Sequence, residues 1–197
     1  LGEGAMLDRA QGATVHISEP PDAGNIEVVS IDGDTARLRV RDDVGGEYKQ
    51  WFHFRVSGAR GRRLTFIIEN ANDCSYPDGW PGYRAAYSFD RQMWLRAEDT
   101  TYDEDAGTLT ISISMARDAC WLGYFAPYSM ERHADLLAQC AAAPFVGLTR
   151  LGATLDGQDI DMLSLGEGPK VVWVIARQHP GESMAEWFVE GMLERLM

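Results

Sequence analysis

The tetrapeptide His179-Pro180-Gly181-Glu182 sets an imidazole and a carboxylate at the two ends of a turn signal. Proline at i+1 and glycine at i+2 are the residues of a type II β-turn, proline fixing φ and glycine accepting the positive φ that follows. Such a turn brings the first and fourth α-carbons within about 7 Å, close enough for both side chains to reach one ion. Zinc accepts both ligand types, so the expected metal residues are His179 and Glu182 and the expected cofactor is Zn2+. Pro-Gly turns flanked by His and Glu also arise by chance, so the surroundings matter. Lys170 to Gln178 (KVVWVIARQ) is an apolar, β-branched run that reads as a buried strand. Ser183-Met184-Ala185-Glu186 is a capping-box pattern opening the helical stretch WFVEGMLERL. Open α/β sheets place their chemistry between such a strand and helix.

Other residues near this motif have plainer readings. Arg177 shares strand parity with His179, so it is expected either to support the site or to form an ordinary salt bridge. Glu186 reads as a cap, Glu190 and Glu194 as solvated helix surface, and Trp187 and Phe188 as core beside Met184, Gly191 and Met192. His53 is expected on the solvated face of a strand, while His16 and His133 read as structural.

The composition bounds the function. The 197 residues carry a net charge of −12, with Lys49 and Lys170 the only lysines. Phosphate binding needs a basic face, so nucleic acid is an unsuitable partner. Cys74, Cys120 and Cys140 are odd in number and lack a C-x-x-C pair, which suits reduced thiols in a cytoplasm. The opening LGEGAMLDRAQGA lacks a leader's apolar segment, and no run approaches the roughly 18 apolar residues of a membrane span. A soluble, cytoplasmic protein with no membrane partner is expected.

The pattern to about residue 126 is all-β. Strands are expected at 14–18, 26–31, 36–40, 50–56, 63–69, 85–89, 108–114 and 120–126, separated by Asp32-Gly33, Gly45-Gly46, Asp78-Gly79 and Asp105-Ala106-Gly107. In WFHFRV, Phe52, Phe54 and Val56 share one face, with Trp51, His53 and Arg55 on the other. The expected fold is an antiparallel β-sandwich over residues 14–130, of the sandwich or jelly-roll kind. Residues 131–143 read as a short helix ending before Pro144. From 144 to 197 a hairpin turning at Asp156-Gly157 leads into the apolar run and its helix, the opening of an incomplete α/β domain. A strand apolar on both faces calls for helices on both sides, and only one follows, so the chain reads as a fragment of a longer enzyme.

With these residues in hand, the sequence resembles the zinc metallocarboxypeptidases, specifically the cytosolic carboxypeptidase subfamily. HPGE at 179–182 is similar to the family's H-x-x-E zinc motif. QWFHFRVSG (50–58), YPDGWPGY (76–83), YSFDRQMWLR (87–96) and YFAPYS (124–129) resemble segments of the subfamily's N-terminal β domain. The resemblance covers residues 14–197 and implies removal of C-terminal residues, glutamate among them, from a peptide or protein substrate. In that family a zinc ion polarises the scissile carbonyl and activates water, a glutamate serves as general base, and arginines hold the terminal carboxylate. Only His179 and Glu182 map onto that set; the third ligand, general base and carboxylate-binding arginine fall in family regions beyond Met197. No catalytic residue is therefore assigned, and the fragment alone is expected to be inactive. Two alternatives stand beside this reading. One is a zinc acyl-amino-acid hydrolase of the aspartoacylase type, which shares H-x-x-E but lacks such a β domain. The other is a non-catalytic β-sandwich binding module using exposed aromatics such as Trp80 and Tyr83.

Overall fold

A computed structural model describes residues 14–197; the reading of the first 13 residues lies outside this range. Contacts divide the chain into two compact units at Pro127 and Tyr128, and each is described by itself.

The first unit holds ten strands in two five-stranded sheets. One runs in the order β1 (His16–Ser18), β4 (His53–Ser57), β10 (Ala119–Gly123), β6 (Ala86–Ser88), β7 (Leu95–Arg96). The other runs β2 (Glu27–Asp32), β3 (Thr35–Arg39), β5 (Arg63–Ile68), β9 (Thr108–Ser114), β8 (Thr100–Asp103). The strands expected from alternation all occur, most with one or both ends moved by a few residues. The short strands β7 and β8, whose Trp94–Arg96 and Thr100–Asp103 stretches show no apolar period, escaped the pattern. Strand pairing is antiparallel except for β3 with β5. Between them the chain crosses to the other sheet as β4, so β5 returns running the same way as β3.

Side chains from both sheets meet in one core: Phe54 and Leu122 from the first, Leu38, Phe66, Ile68 and Ile111 from the second, all fully buried. Phe54 and Phe66 meet edge to face at 5.3 Å between ring centroids. As the alternation requires, Phe52, Phe54 and Val56 are buried together.

Two expectations for polar and amphipathic side chains are corrected here. His53 is only 4 % exposed. Its Nδ1–H donates to the Leu122 carbonyl at 2.7 Å, and its ring meets Trp94 edge-on at 6.2 Å. Alternation identifies the face opposite Phe52, but a polar side chain with a satisfied hydrogen bond can be buried there too. Burial also holds the His53 imidazole below its ordinary range. Trp80 is fully buried rather than exposed. Its indole N–H donates to Ala71 O at 2.8 Å, and its ring packs on Tyr83 and Tyr124. Tyr83 is half-buried, stacked on Tyr124 at 5.2 Å with its hydroxyl donating to Tyr124 O at 2.6 Å. Trp80, Tyr83 and Tyr124 thus form one aromatic cluster, so the two aromatics named for the binding-module reading are covered rather than exposed.

Asn70, 2 % exposed, closes a reciprocal pair with Val40, accepting from its N–H and donating to its carbonyl, both at 2.9 Å. Asn70→Ala would leave both backbone groups buried without these partners, at about 1–3 kcal/mol each. The expected loss is about 2–4 kcal/mol in chemical denaturation; a loss under about 0.5 kcal/mol would show that water replaces the amide.

The second unit contains α1 (Met130–Ala141), the hairpin β11 (Val146–Ala153) and β12 (Asp159–Leu165), and α2 (Met184–Leu196). Ser129 caps α1, its hydroxyl accepting from the Arg132 N–H at 3.1 Å. Leu136, Cys140 and Leu193 form a small core with Val146, Leu163, Leu165 and Val189 against it. The expected buried strand at 170–178 does not form. Val171, Val172, Trp173, Val174 and Ile175 are exposed, and no strand is assigned there. A strand exists through ladder hydrogen bonds to a neighbour, and no described strand pairs with this run. Phe188 is likewise 64 % exposed rather than core, and Trp187 is half-buried. The three cysteines are free and buried. Among the described residues, no helix is long and apolar enough to cross a membrane.

Candidate metal site

Between the apolar run and α2 the chain makes a tight turn closed by the Glu182 N–H donating to His179 O at 3.0 Å. It is not the type II turn expected. Gly181 does not take a positive φ, so its use here is not conformational licence, and a Cβ added to it would meet nothing within 4 Å. The left-handed residue is instead Arg177, at φ +56°.

Across the turn, His179 Nδ1 stands 3.2 Å from Glu182 Oε2. Both side chains face solvent, 80 % and 56 % exposed. One imidazole nitrogen and one carboxylate oxygen side by side across a single turn are donor types that zinc accepts. Among the described residues no group of three or more His, Cys, Asp or Glu side chains gathers to hold an ion; His179 and Glu182 would supply two of the four positions of a tetrahedral shell.

Behind the turn lies a charged network that the sequence reading assigned otherwise. Ser183 is the N-cap residue of α2, yet it has helical φ and ψ and its side chain makes no capping bond. Glu186 therefore does not complete a capping box. One of its oxygens pairs with His133 Nδ1 at 2.7 Å, and the other accepts from Arg177 Nη1 at 2.6 Å. Arg177 also donates through Nε to Pro180 O at 3.0 Å and through Nη1 to Tyr128 O at 2.9 Å. Glu190 is not solvated surface: Arg132 pairs with both of its oxygens, and the Tyr128 hydroxyl donates to it at 2.5 Å. The Arg132 guanidinium stacks 4.2 Å from the Trp187 ring. His133 and Glu190 sit 57 residues apart in sequence, and helical periodicity within either segment carries no signal that they share a network. Glu194 is exposed, as expected. His16 lies exposed on β1.

The electrostatics of the network are cooperative. The hydrogen bond to Glu186 lifts the His133 imidazole above its ordinary range, against the opposing effect of burial. Burial alone would raise Glu186, but its bonds to His133 and Arg177 outweigh that and hold the carboxyl low. Because the folded His133 value is raised, its stabilising contribution is full below about pH 6.5 and is lost as pH rises through the folded value. Glu186, held low, contributes above its ordinary range and fails as pH falls through the lowered value. An NMR titration should place the His133 midpoint above about 6.5, and Glu186→Gln should bring it down. A His133 midpoint at or below 6.5 in the unaltered chain would contradict the pairing.

Residues 17–125 match the model of the cytosolic carboxypeptidase N-terminal domain. An uncharacterized protein of Zymomonas mobilis is 48% identical over 183 residues, covering 93% of this chain and 47% of its own length. Cytosolic carboxypeptidase 1 of Mus musculus is 24% identical over 233 residues, covering 95% of this chain and 19% of its own. The crystal structure of a metallo-carboxypeptidase from Burkholderia cenocepacia superposes with a TM-score of 0.87 at 47% identity, covering 92% of this chain and 49% of that one. The chain thus spans about half the length, or less, of the relatives it matches. With the family model matching more than half of its residues, the chain belongs to the cytosolic carboxypeptidase family, residues 17–125 being that family's N-terminal domain.

Proposed function

We propose that this chain supplies two zinc ligands, His179 and Glu182, to a metallocarboxypeptidase that removes C-terminal residues from peptides or proteins. The observation that carries the reading is the 3.2 Å approach of His179 Nδ1 and Glu182 Oε2 across a hydrogen-bonded turn. Family membership supports a peptidase, and the likeness to the Burkholderia cenocepacia metallo-carboxypeptidase supports a metal. When bound, zinc would supply a Lewis acid for the scissile carbonyl and an acidified water. The chain's own residues hold that position: the turn sets the two donors side by side, and the exposure of both leaves them open to ion and substrate. In this reading the first unit is a β-sandwich and the second opens an α/β domain carrying the metal turn at its edge. The substrate is a peptide or protein C-terminus, with glutamate one candidate residue, and the setting is the cytoplasm, in line with the naming of the mouse relative and three unpaired cysteines.

Catalytic zinc sites keep three protein ligands and an open position, and the described residues gather two donors. The 197-residue chain alone is therefore expected to show no chelator-sensitive peptidase activity. Assayed beside the full-length protein, on peptides ending in glutamate and in neutral residues, it should fall many orders of magnitude below it. Zinc-dependent turnover by the short chain at a comparable rate would overturn the two-ligand assignment.

A further inference from the structure

Arg177 stands two residues before His179 with its backbone in the left-handed region, φ +56°. A non-glycine residue persists there only when its surroundings hold it. Three acceptors do so, and they come from three parts of the second unit. Nε donates to Pro180 O at 3.0 Å, inside the turn itself. Nη1 donates to Tyr128 O at 2.9 Å, just before α1, and to Glu186 Oε2 at 2.6 Å, in the first turn of α2. Glu186 is in turn fixed through its other oxygen by His133 on α1 at 2.7 Å. Arg177 and Glu186 are well covered, their side chains 21 % and 12 % exposed.

The contrast with the donor pair is the useful point. His179 and Glu182 side chains are largely in solvent, so their separation is set by the turn's backbone. Pro180 lies between them, and the orientation of its carbonyl fixes the peptide plane leading to Gly181 and Glu182. Gly181 lacks a Cβ to restrict that plane, and a Cβ built there would meet nothing within 4 Å. A guanidinium bond on the Pro180 carbonyl supplies the restriction that glycine does not.

We propose that Arg177 is the positioning residue of this metal site: anchored by Glu186 and His133, its guanidinium holds the Pro180 carbonyl so that His179 and Glu182 face one ion. The proposal rests on the metal-site reading above. It also accounts for the left-handed backbone of Arg177, which turns the guanidinium back onto its own turn. Groups that orient metal ligands without touching the metal typically change affinity by about 10–100-fold when removed.

The test is a Zn2+ titration of the 197-residue chain with the His179 imidazole followed by NMR, alongside amide exchange at Glu182. Arg177→Gln should raise the Zn2+ concentration that half-shifts His179 by about ten-fold and speed Glu182 exchange. Amides of the β11–β12 ladder should keep their protection. Arg177→Lys should recover part of the loss, because an ammonium can still donate to one of the carbonyls. If Arg177→Gln disrupts the α1–α2 pairing, Glu186→Gln, which keeps shape and one acceptor, should show a smaller shift in the same direction. Glu182→Ala, which keeps the His179 signal, serves as the reference for loss of a ligand. Absence of any His179 response to Zn2+ in the unaltered chain would overturn the metal-site reading and the positioning role with it. A His179 response unchanged by Arg177→Gln and Glu186→Gln, with Glu182 exchange unchanged, would overturn the positioning role alone.

Discussion

His179→Ala in the full-length protein is expected to abolish turnover of peptide C-termini while leaving the β unit folded. A Lewis acid contributes several kcal/mol to stabilising charge in the transition state, which corresponds to a rate loss of about 10³-fold or more. His179 is 80 % exposed, and its recorded partner is Glu182, so truncating it removes a donor without opening a cavity in either core. Glu182→Ala should act in the same direction, and the double variant should lose little beyond either single one, because both serve one ion. Steady-state kinetics in the presence of added zinc, with circular dichroism on the same samples, separates a lost ligand from a lost fold. Activity within a few-fold of the unaltered enzyme would mean that the metal is held elsewhere.

Trp80→Ala should produce the largest loss of stability in the first unit. The side chain is fully buried, donates to Ala71 O, and meets Tyr83 and Tyr124 at 5.2 and 5.5 Å between centroids. Truncating a buried tryptophan costs about 3–5 kcal/mol, a large fraction of the 5–15 kcal/mol that holds a typical domain. Trp80→Phe keeps most of the ring but leaves the Ala71 carbonyl without its donor, so an intermediate loss of about 1–3 kcal/mol is expected. Denaturant unfolding of the three proteins gives the order directly. Equal midpoints for all three would mean that the aromatic cluster contributes nothing to the fold.

The β unit was legible because its strands alternate. Phe52, Phe54 and Val56 had to share a face, and they lie in the core with Phe66 and Ile111 from the opposite sheet. Alternation fails where side chains are polar and satisfied, as at His53, whose partner Leu122 lies 69 residues on. It fails also for β7 and β8, too short and polar to carry a period, and for the parallel β3–β5 pair, which depends on a crossover. The turn at 179–182 was legible as one that sets His179 beside Glu182, although its type was not, because Pro-Gly suits more than one turn. The apolar run 171–175 announces a need for cover that composition can state but not locate, and among the described strands it finds none. Glu186 and Glu190 were read by local rules for helix starts and helix surfaces. Their partners His133, Arg132, Tyr128 and Arg177 come from other segments, and long-range ion pairs leave no trace in local spacing.

The central claim is that His179 and Glu182 bind one metal ion, and anomalous diffraction from crystals of the full-length protein, measured on both sides of the zinc absorption edge, tests it most directly. The account predicts a single strong peak about 2 Å from a His179 ring nitrogen and from a Glu182 carboxylate oxygen. A zinc peak coordinated by other residues, with His179 and Glu182 left outside its shell, would contradict it.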